Sequence, residues 1–198
     1  MNVVIIQYNA GNVQSVLYAL QRLGIDAVIT GDAEKIRSAD KVIFPGVGAA
    51  GSAMDYLGKH RLDKLIVSLK QPVLGICLGL QLMCSHSEEG DTTCLGIFDV
   101  KVKKFIKHPG EQIKIPQIGW NNIYNLSSPL FKNISENAFV YYVHSYYAEL
   151  SPQTIATSDY ILPYAAAIKK NNFYGVQFHS EKSADAGSKM IENFLKLT

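Results

Sequence analysis

The sequence predicts an α/β protein in which helices flank a mostly parallel central sheet, with an additional antiparallel β-rich region in the second half. In the first half, short apolar runs alternate with stretches in which apolar residues recur at helical spacing, which is typical of βαβ units. In the second half, residues 100–107 roughly alternate apolar with basic side chains, which indicates a half-exposed antiparallel strand. The chain of 198 residues suits a single domain over residues 1–198.

The first half is expected to contribute the parallel strands and most of the helices. The first strand covers residues 3–6, and Asn12 in the following turn is a suitable helix N-cap. The amphipathic helix that follows is expected to end at Gly24. Further predicted elements are a strand at 26–29, a polar helical turn near Asp32, a strand at 42–44 ending in Pro45-Gly46-Val47-Gly48, and two helical pieces within 50–69.

The second half is expected to contribute mainly strands before a final helix. After the strand at 100–107, β character continues in several short segments rich in β-branched and aromatic residues. The predicted segments are strands at 113–115, 139–143, 155–157, 165–168 and 174–178, and a helix from about 185 to 197.

Composition and charge exclude several classes of function. The net charge of +2 comes without a concentrated basic face, so no nucleic-acid partner is expected, and the basic residues of 101–107 are interpreted as a solvated strand face. The apolar run at 3–6 is too short for an export signal or a membrane span, so no membrane association is expected.

Three cysteines without a disulfide pattern indicate a cytoplasmic location. Cys84 follows Cys77 by one heptad, but no further ligands match it, so no metal is expected.

A cysteine lies at the corner where a predicted strand becomes a helix. Residues 73–76 form a short apolar run, and Gly75 and Gly79 flank Cys77 at two residues on either side. This arrangement is called a nucleophile elbow when a serine occupies it, and glycines permit so sharp a turn. The adjacent helix N-terminus favours the thiolate form. The alternative is that Cys77 is a small buried apolar residue, and this pattern alone does not decide between the two.

A histidine and a glutamate near the end of the chain supply a possible base for this thiol. His179 follows the predicted strand at 174–178, and Glu181 comes two residues later. In an extended chain these two side chains project to the same side, so the carboxylate can orient the imidazole. Cys77, His179 and Glu181 are therefore candidates for a Cys–His–Glu triad. The alternative is a His and a Glu on a surface loop.

A triad of this kind also needs donors for an oxyanion. The Pro45-Gly46-Val47-Gly48 segment follows a strand that should neighbour the Cys77 strand, and its glycine-rich backbone can direct an N–H toward developing negative charge. The N–H of Leu78, at the start of the helix, supplies another donor. The alternative is an ordinary tight turn.

Three motifs together resemble the class I, triad-type glutamine amidotransferases. They are Pro45-Gly46-Val47-Gly48-Ala49, Gly75-Ile76-Cys77-Leu78-Gly79-Leu80-Gln81 and Gln177-Phe178-His179-Ser180-Glu181-Lys182-Ser183. The order of nucleophile first and His-x-Glu about 100 residues later also agrees with that family. The resemblance spans residues 4–194 and implies the flavodoxin-like fold of the family.

Further segments resemble the branch of this family that serves histidine biosynthesis. They are Gly11-Asn12 with Ser15-Val16, Ile115-Pro116-Gln117-Ile118-Gly119-Trp120-Asn121 and Tyr141-Tyr142-Val143-His144-Ser145-Tyr146-Tyr147. The resemblance implies a heterodimer with a (β/α)₈-barrel cyclase subunit that receives ammonia, and it implies no cofactor. The sequence departs from the family pattern at Gln7-Tyr8-Asn9, at Gln117 and at Ser180, where the family usually has Asp-Tyr-Gly, histidine and proline, respectively.

The same resemblance assigns roles in the hydrolysis of L-glutamine. Cys77 attacks the side-chain amide, His179 transfers the proton and Glu181 orients the ring, and the resulting thioester is hydrolysed to glutamate. The backbone N–H groups of Gly48 and Leu78 are the implied oxyanion donors. The residues implied to hold the α-amino and α-carboxylate groups of glutamine are Gln81, Glu89, His144, Ser145 and Tyr146, with solvation of Glu89 and simple packing of Tyr146 as the alternatives.

The single tryptophan, Trp120, is interpreted as an interface anchor, because large aromatic side chains are enriched at the centres of interfaces. The resemblance places the Gly-Trp-Asn segment against the cyclase, with Asn121 and Tyr141 beside Trp120. The alternative is a half-buried tryptophan that covers the sheet.

Two other functions stay open at this point. One is a Cys–His hydrolase of related fold that cleaves peptide or small-molecule bonds. The other is a non-catalytic regulatory module, although a protein that only binds has no need of Cys77, His179 and Glu181 together.

Overall fold

The structure is a computed structural model that describes residues 1–9, 13–107, 109–110 and 112–197. The strands are β1 Val3–Ile6, β2 Ala27–Thr30, β3 Lys41–Gly46, β4 Val73–Cys77, β5 His86–Ser87, β6 Thr92–Thr93, β7 Lys101–Lys104, β8 Gln117–Ile123, β9 Ala138–His144, β10 Tyr146–Ala148, β11 Thr154–Asp159, β12 Pro163–Lys170 and β13 Phe173–Val176. The α-helices are α1 Val13–Arg22, α2 Ala33–Arg37, α3 Ala50–Lys59, α4 Leu62–Ser68, α5 Leu78–Met83 and α6 Ala184–Leu195. Short 3₁₀ turns cover Pro129–Phe131 and Ser180–Lys182.

The central sheet has seven strands in the order β11-β12-β13-β4-β3-β1-β2. The five strands from β13 to β2 are parallel to their neighbours, whereas β12 and β11 are antiparallel. Strands β1, β3, β4 and β13 are buried along their whole length, because apolar cores cover both faces of the sheet. The predicted α/β fold with a mostly parallel sheet and additional antiparallel strands is confirmed.

The helices of the first half follow the predicted pattern. Helix α1 ends just before Gly24, which has a φ of +75°. Asp32 caps α2, because its carboxylate accepts the N–H groups of Glu34 and Lys35 at 3.0 Å each. The predicted N-cap Asn12 lies outside the described residues. Strand β3 is longer than predicted, because its pairing with β4 continues through Gly46, opposite Cys77.

The second half differs more from the predictions. The strand predicted at 113–115 is wrong, since these residues are not in a strand and are followed by Pro116, which lacks the N–H that a ladder needs. The strand of this region is β8, which was not predicted and pairs antiparallel with β9 in a separate two-stranded sheet. The pairing runs from Gln117 opposite His144 to Ile123 opposite Ala138.

The basic segment at 101–107 forms a shorter strand than predicted. Strand β7 covers only Lys101–Lys104 and lies in a four-stranded sheet of order β10-β7-β5-β6. It is antiparallel to β10, as expected, but parallel to β5. Val102 is buried between lysines that face solvent to differing extents, so the interpretation of a solvated basic face agrees with the structure.

Among the described residues, no helix has the length and apolar character that a membrane-spanning segment needs. The same part of the chain contains no group of three or more His, Cys, Asp or Glu side chains placed to hold a metal ion. All three cysteines are free and buried.

Candidate active site

Cys77 is the last residue of β4 and directly precedes helix α5. Its backbone has a φ of 54° and a ψ of −109°, a conformation that is uncommon for a residue with a side chain. The chain turns sharply at this position, so that the thiol lies at the carboxyl edge of the parallel sheet. Ligands bind at this edge in open α/β sheets.

The two glycines around Cys77 allow α5 to lie directly on the sheet. A Cβ on Gly79 would collide with the carbonyl oxygen of Phe44 in β3. A Cβ on Gly75 would collide with the Met83 side chain and the backbone of Gly79. The expectation that side chains at these two positions would crowd the turn is confirmed, and the reason is the close approach of helix and sheet.

His179 and Glu181 form a buried pair beside this elbow. The Nδ1 atom of His179 lies 2.8 Å from Oε1 of Glu181. The backbone there is a 3₁₀ turn, Ser180–Lys182, so the extended geometry predicted for the two residues is wrong. The turn brings the carboxylate back to the ring, and the predicted contact forms by a different backbone path.

His179 and Cys77 line the same cavity and interact with each other. Because Glu181 engages Nδ1, the other ring nitrogen is the one available to the sulfur. Burial lowers the pKa of His179, but the hydrogen bonds to Cys77 and Glu181 and the charges of both groups outweigh burial and raise the pKa to about 10. A charged imidazolium therefore faces the sulfur, where it can activate a cysteine nucleophile.

The candidate oxyanion segment lies against the elbow. Gly46 at the end of β3 is paired with Cys77 at the end of β4. Two residues later Gly48 has a φ of +102°, a conformation that glycine adopts at low cost. Gly48 and Leu78 both line the cavity that contains Cys77.

This cavity has a volume of about 300 Å³, within the range of small-molecule sites. The residues predicted to act on glutamine all line it except Glu181, which contacts the His179 ring without lining the cavity. The lining residues are Val47, Gly48, Cys77, Leu78, Gln81, Glu89, Pro116, Val143, His144, Ser145, Tyr146 and His179.

His144 lines the cavity, yet its ring nitrogens are directed to protein atoms. Nδ1 lies 2.7 Å from the carbonyl oxygen of Tyr146 and therefore carries the proton, while Nε2 lies 3.4 Å from the Tyr164 hydroxyl. Burial and the nearby charge of His179 lower the pKa of His144 to about 4, against the hydrogen bond to Tyr146, so the ring is neutral. His144 thus fixes the turn between β9 and β10 and supplies no charge to a ligand.

Two polar side chains of the cavity are held by neighbouring elements. Gln81 donates from Nε2 to the carbonyl of Tyr146 at 2.9 Å and to Oε1 of Gln177 at 3.0 Å. Glu89 accepts the N–H of Ala50 through Oε2 at 2.8 Å and is the one carboxylate among the described lining residues. Glu89 is therefore anchored at the rim, which disagrees with the alternative of a merely solvated side chain.

Two groups near the sulfur were not predicted. The amide Nε2 of Gln177 lies 3.7 Å from the Cys77 Sγ, and the carbonyl oxygen of Val143 lies 3.8 Å from it. Gln177 stands two residues before His179 in a recognised motif, so its proximity to the elbow was accessible from the sequence, but the direction of its side chain was not.

One face of the β8–β9 sheet is apolar and exposed. Trp120 is 51% exposed and packs edge-to-face on Tyr141, with ring centroids 5.9 Å apart. Ile118 and Phe139 on the same face are 64% and 62% exposed. The face continues to Val143, whose carbonyl contacts the nucleophile. The term apolar face is used below for Ile118, Trp120, Phe139, Tyr141 and Val143.

Asn121 does not share this face. It alternates with Trp120 along β8, and its Nδ2 donates to the carbonyl of Asp159 at 2.6 Å. Its Oδ1 accepts the N–H of Asn122 at 2.9 Å. The structure therefore places Trp120 and Tyr141 together and Asn121 on the other side of the strand.

The fold and this site define a class of enzyme. The family model described as glutamine amidotransferase class-I matches residues 4–197, and the chain belongs to that family. Relatives named imidazole glycerol phosphate synthase subunit HisH match over full length: one from Bacteroides fragilis is 56% identical and one from Bacteroides thetaiotaomicron 55% identical, each over 100% of both chains. A relative of the same name from Pasteurella multocida is 46% identical over 98% of both chains. Within the family, the chain groups with these HisH subunits.

Solved structures agree on the fold alone. A putative GMP synthase subunit from Thermoplasma acidophilum superposes with a TM-score of 0.73 at 22% identity, covering 98% of this chain and 92% of that one. A structure of PurLQS from Thermotoga maritima gives a TM-score of 0.70 at 14% identity, covering 98% of this chain and 97% of that one.

Proposed function

We propose that this chain, as a single domain over residues 1–198, is the glutaminase subunit of imidazole glycerol phosphate synthase in the cytoplasm. It hydrolyses L-glutamine through a thioester on Cys77 and passes ammonia to a (β/α)₈-barrel cyclase, which makes imidazole glycerol phosphate and aminoimidazole carboxamide ribotide. The observation that carries the proposal is that Cys77 and His179 meet at one cavity of suitable size, with Glu181 hydrogen-bonded to the His179 ring.

The reaction follows from this series. The Cys77 thiolate attacks the side-chain carbonyl carbon of glutamine, and the N–H groups of Gly48 and Leu78 stabilise the oxyanion. His179 gives its proton to the leaving nitrogen, the C–N bond breaks, and ammonia leaves a thioester. His179, now neutral, takes a proton from water, which attacks the thioester carbon and releases glutamate and the thiolate. Glu181 holds the ring in one tautomer throughout.

The charged end of glutamine is assigned to the opposite part of the cavity. Glu89 is suited to the α-ammonium group, because a carboxylate there pairs with a cation in a partly enclosed site. Ser145 and Tyr146 supply polar groups for the α-carboxylate. Gln81 donates both of its amide hydrogens to Tyr146 and Gln177, so its remaining amide oxygen is suited to the α-ammonium group. His144 acts by positioning Tyr146, since its own ring is neutral and engaged.

The place of the apolar face supports docking of the partner over the nucleophile. Val143 contacts the Cys77 sulfur through its carbonyl, and the Tyr141 carbonyl accepts the His179 N–H at 2.9 Å. A partner that covers this face therefore lies next to the point where ammonia is formed. A closed path has a chemical purpose, because ammonia in neutral water is mostly protonated and non-nucleophilic.

The direct test is to trap the thioester with labelled L-glutamine. After an acid quench, we expect the label on the peptide that contains Cys77. We expect no label on that peptide when the labelled substrate is instead a glutamine-containing peptide or a larger glutamine ester. Labelling from larger peptides would favour the Cys–His hydrolase, and absence of label from every substrate would favour the regulatory module.

Replacing Trp120 by alanine is expected to weaken binding of the cyclase by about 30-fold or more, because truncation of a central aromatic residue costs about 2 kcal/mol or more. Titration calorimetry of the two purified subunits measures the effect. Leu150→Ala is the matched control, since Leu150 is similarly exposed at 49% but lies outside the apolar face. Equal losses for the two variants would contradict docking at this face.

We also expect low glutaminase activity from the subunit without its partner. The idea is that this segment, in which Gly48 has positive φ and Val47 is exposed at the edge of the cavity, takes its productive orientation when the partner covers it. A missing oxyanion donor costs about 10²–10³ in kcat, and we expect the partner to restore an increase of that order. Steady-state assays with and without the cyclase measure it, and equal turnover in both would contradict the idea.

A further inference from the structure

Gln177 contacts the nucleophile without lining the cavity. It follows directly after β13 and is fully buried, and it is absent from the residues that line the cavity. A buried amide forms hydrogen bonds in a folded protein, and the partners of this one are Gln81 and Cys77. Its position therefore relates it to the reacting sulfur and to no part of a bound ligand.

The neighbouring hydrogen bonds determine which end of the Gln177 amide faces the sulfur. The carbonyl of Tyr146 only accepts, so the atom of Gln81 that lies 2.9 Å from it is the NH₂ nitrogen. That same nitrogen lies 3.0 Å from Gln177, which must present its oxygen there. The other end of the Gln177 amide, 3.7 Å from the Cys77 Sγ, is therefore an N–H donor.

Four groups face this sulfur. His179 and the Gln177 amide present N–H donors, which favour the thiolate. The Val143 carbonyl at 3.8 Å accepts a hydrogen bond from the neutral thiol only. Tyr8 interacts electrostatically with Cys77, but burial and the Cys77 charge raise the pKa of Tyr8 far above its usual range, so it stays neutral. Glu181 acts through His179.

We propose that Gln177 is a second catalytic donor to the Cys77 sulfur, stabilising the thiolate before attack and again when the thiolate leaves the thioester. The role in glutamine hydrolysis rests on the proposed function. Two donors at fixed positions stabilise the thiolate more than the imidazolium alone, because each charge-assisted hydrogen bond to the anion lowers its free energy in a buried site. In the second step water adds to the thioester carbon, the C–S bond breaks, and the electron pair returns to a sulfur that again accepts from both donors.

The test is the pH profile of Cys77 alkylation by iodoacetamide in the full-length subunit, followed on the Cys77 peptide by mass spectrometry. Gln177→Glu keeps an acceptor for Gln81 but replaces the donor by a carboxylate oxygen, and Gln177→Met removes the amide at similar volume. We expect both to shift the profile to higher pH, so that alkylation in mildly acidic buffer falls about tenfold or more, since one pKa unit is a tenfold change in thiolate.

Gln117→Met is the matched control, because Gln117 is also a buried glutamine but bonds to Tyr164 rather than to the sulfur. Its alkylation profile should match that of the unmodified chain. With the cyclase present, the Gln177 variants should lose kcat for glutamine while KM stays within about twofold, because Gln177 is outside the cavity.

An unchanged alkylation profile in Gln177→Met with native circular dichroism would overturn the proposal, and so would an equal shift in Gln117→Met. If Gln177→Glu does not fold, Gln177→Met decides the outcome. Iodoacetamide is not a glutamine analogue, so this result is independent of the thioester trap. A failed trap with a shifted profile contradicts the proposed function alone.

Discussion

Replacing Cys77 by alanine is expected to abolish synthesis from glutamine while synthesis from added ammonia continues. Without the sulfur no thioester forms, and loss of a nucleophile of this kind lowers turnover by at least about 10⁴-fold. In the proposed complex the cyclase takes its ammonia directly from solution when ammonia is added at high concentration. Assays of the same two-subunit complex with each nitrogen source measure both activities.

Cys84→Ala is the matched control for this experiment. Cys84 is another buried cysteine, directly after the same helix α5, and its thiol donates to the Leu80 carbonyl. The variant should keep both activities. Loss of ammonia-dependent synthesis in a well-folded Cys77→Ala complex would contradict the division of work between the two subunits.

Gly79→Ala is expected to be strongly destabilising, with a loss of about 3 kcal/mol or more of the free energy of unfolding. The added methyl group meets the Phe44 carbonyl, and this backbone atom cannot move without disturbing the β3–β4 pairing. Helix α5 must then lift from the sheet and carry Cys77 away from His179. Chemical denaturation and glutaminase assays measure the two effects.

Gly58→Ala separates this collision from the general effect of replacing glycine. Gly58 lies in helix α3, and a Cβ there has no heavy atom within 4 Å. Alanine favours a helix by about 1 kcal/mol over glycine, so the control should be neutral or slightly more stable. If the two alanine variants unfold alike, the close approach of α5 to the sheet does not limit stability.

Local pattern was sufficient for the parts of the fold that are buried on both sides. Strands β1, β3 and β4 are continuous apolar runs, and the glycines around Cys77 mark a turn that few other residues permit. Neighbouring residues in the sequence are sufficient in these cases, because they indicate both which strands are buried and where the backbone can turn sharply. The strand, the sharp turn at Cys77 and the helix after it were predicted from residues 72–84, whereas the role of Cys77 as nucleophile also required His179 and Glu181.

The rest depended on contacts between distant segments. The His179–Glu181 pair forms through a 3₁₀ turn that the short segment does not specify, and β8 is a strand only because β9 pairs with it. Asn121 belongs to the predicted segment but faces Asp159, since the alternation along β8 is decided by that pairing. The donor role of Gln177 requires Gln81 and the Tyr146 carbonyl, which come from two other parts of the chain.

The apolar face also has a consequence for a cell that produces this subunit. Ile118, Trp120 and Phe139 form an exposed hydrophobic patch on the two-stranded β8–β9 sheet, and such patches promote self-association in water. In the proposed heterodimer the cyclase covers this face, so a subunit produced in excess of the cyclase is expected to aggregate. Production of the two chains in equal amounts would therefore keep the subunit in solution as well as supply both halves of the reaction.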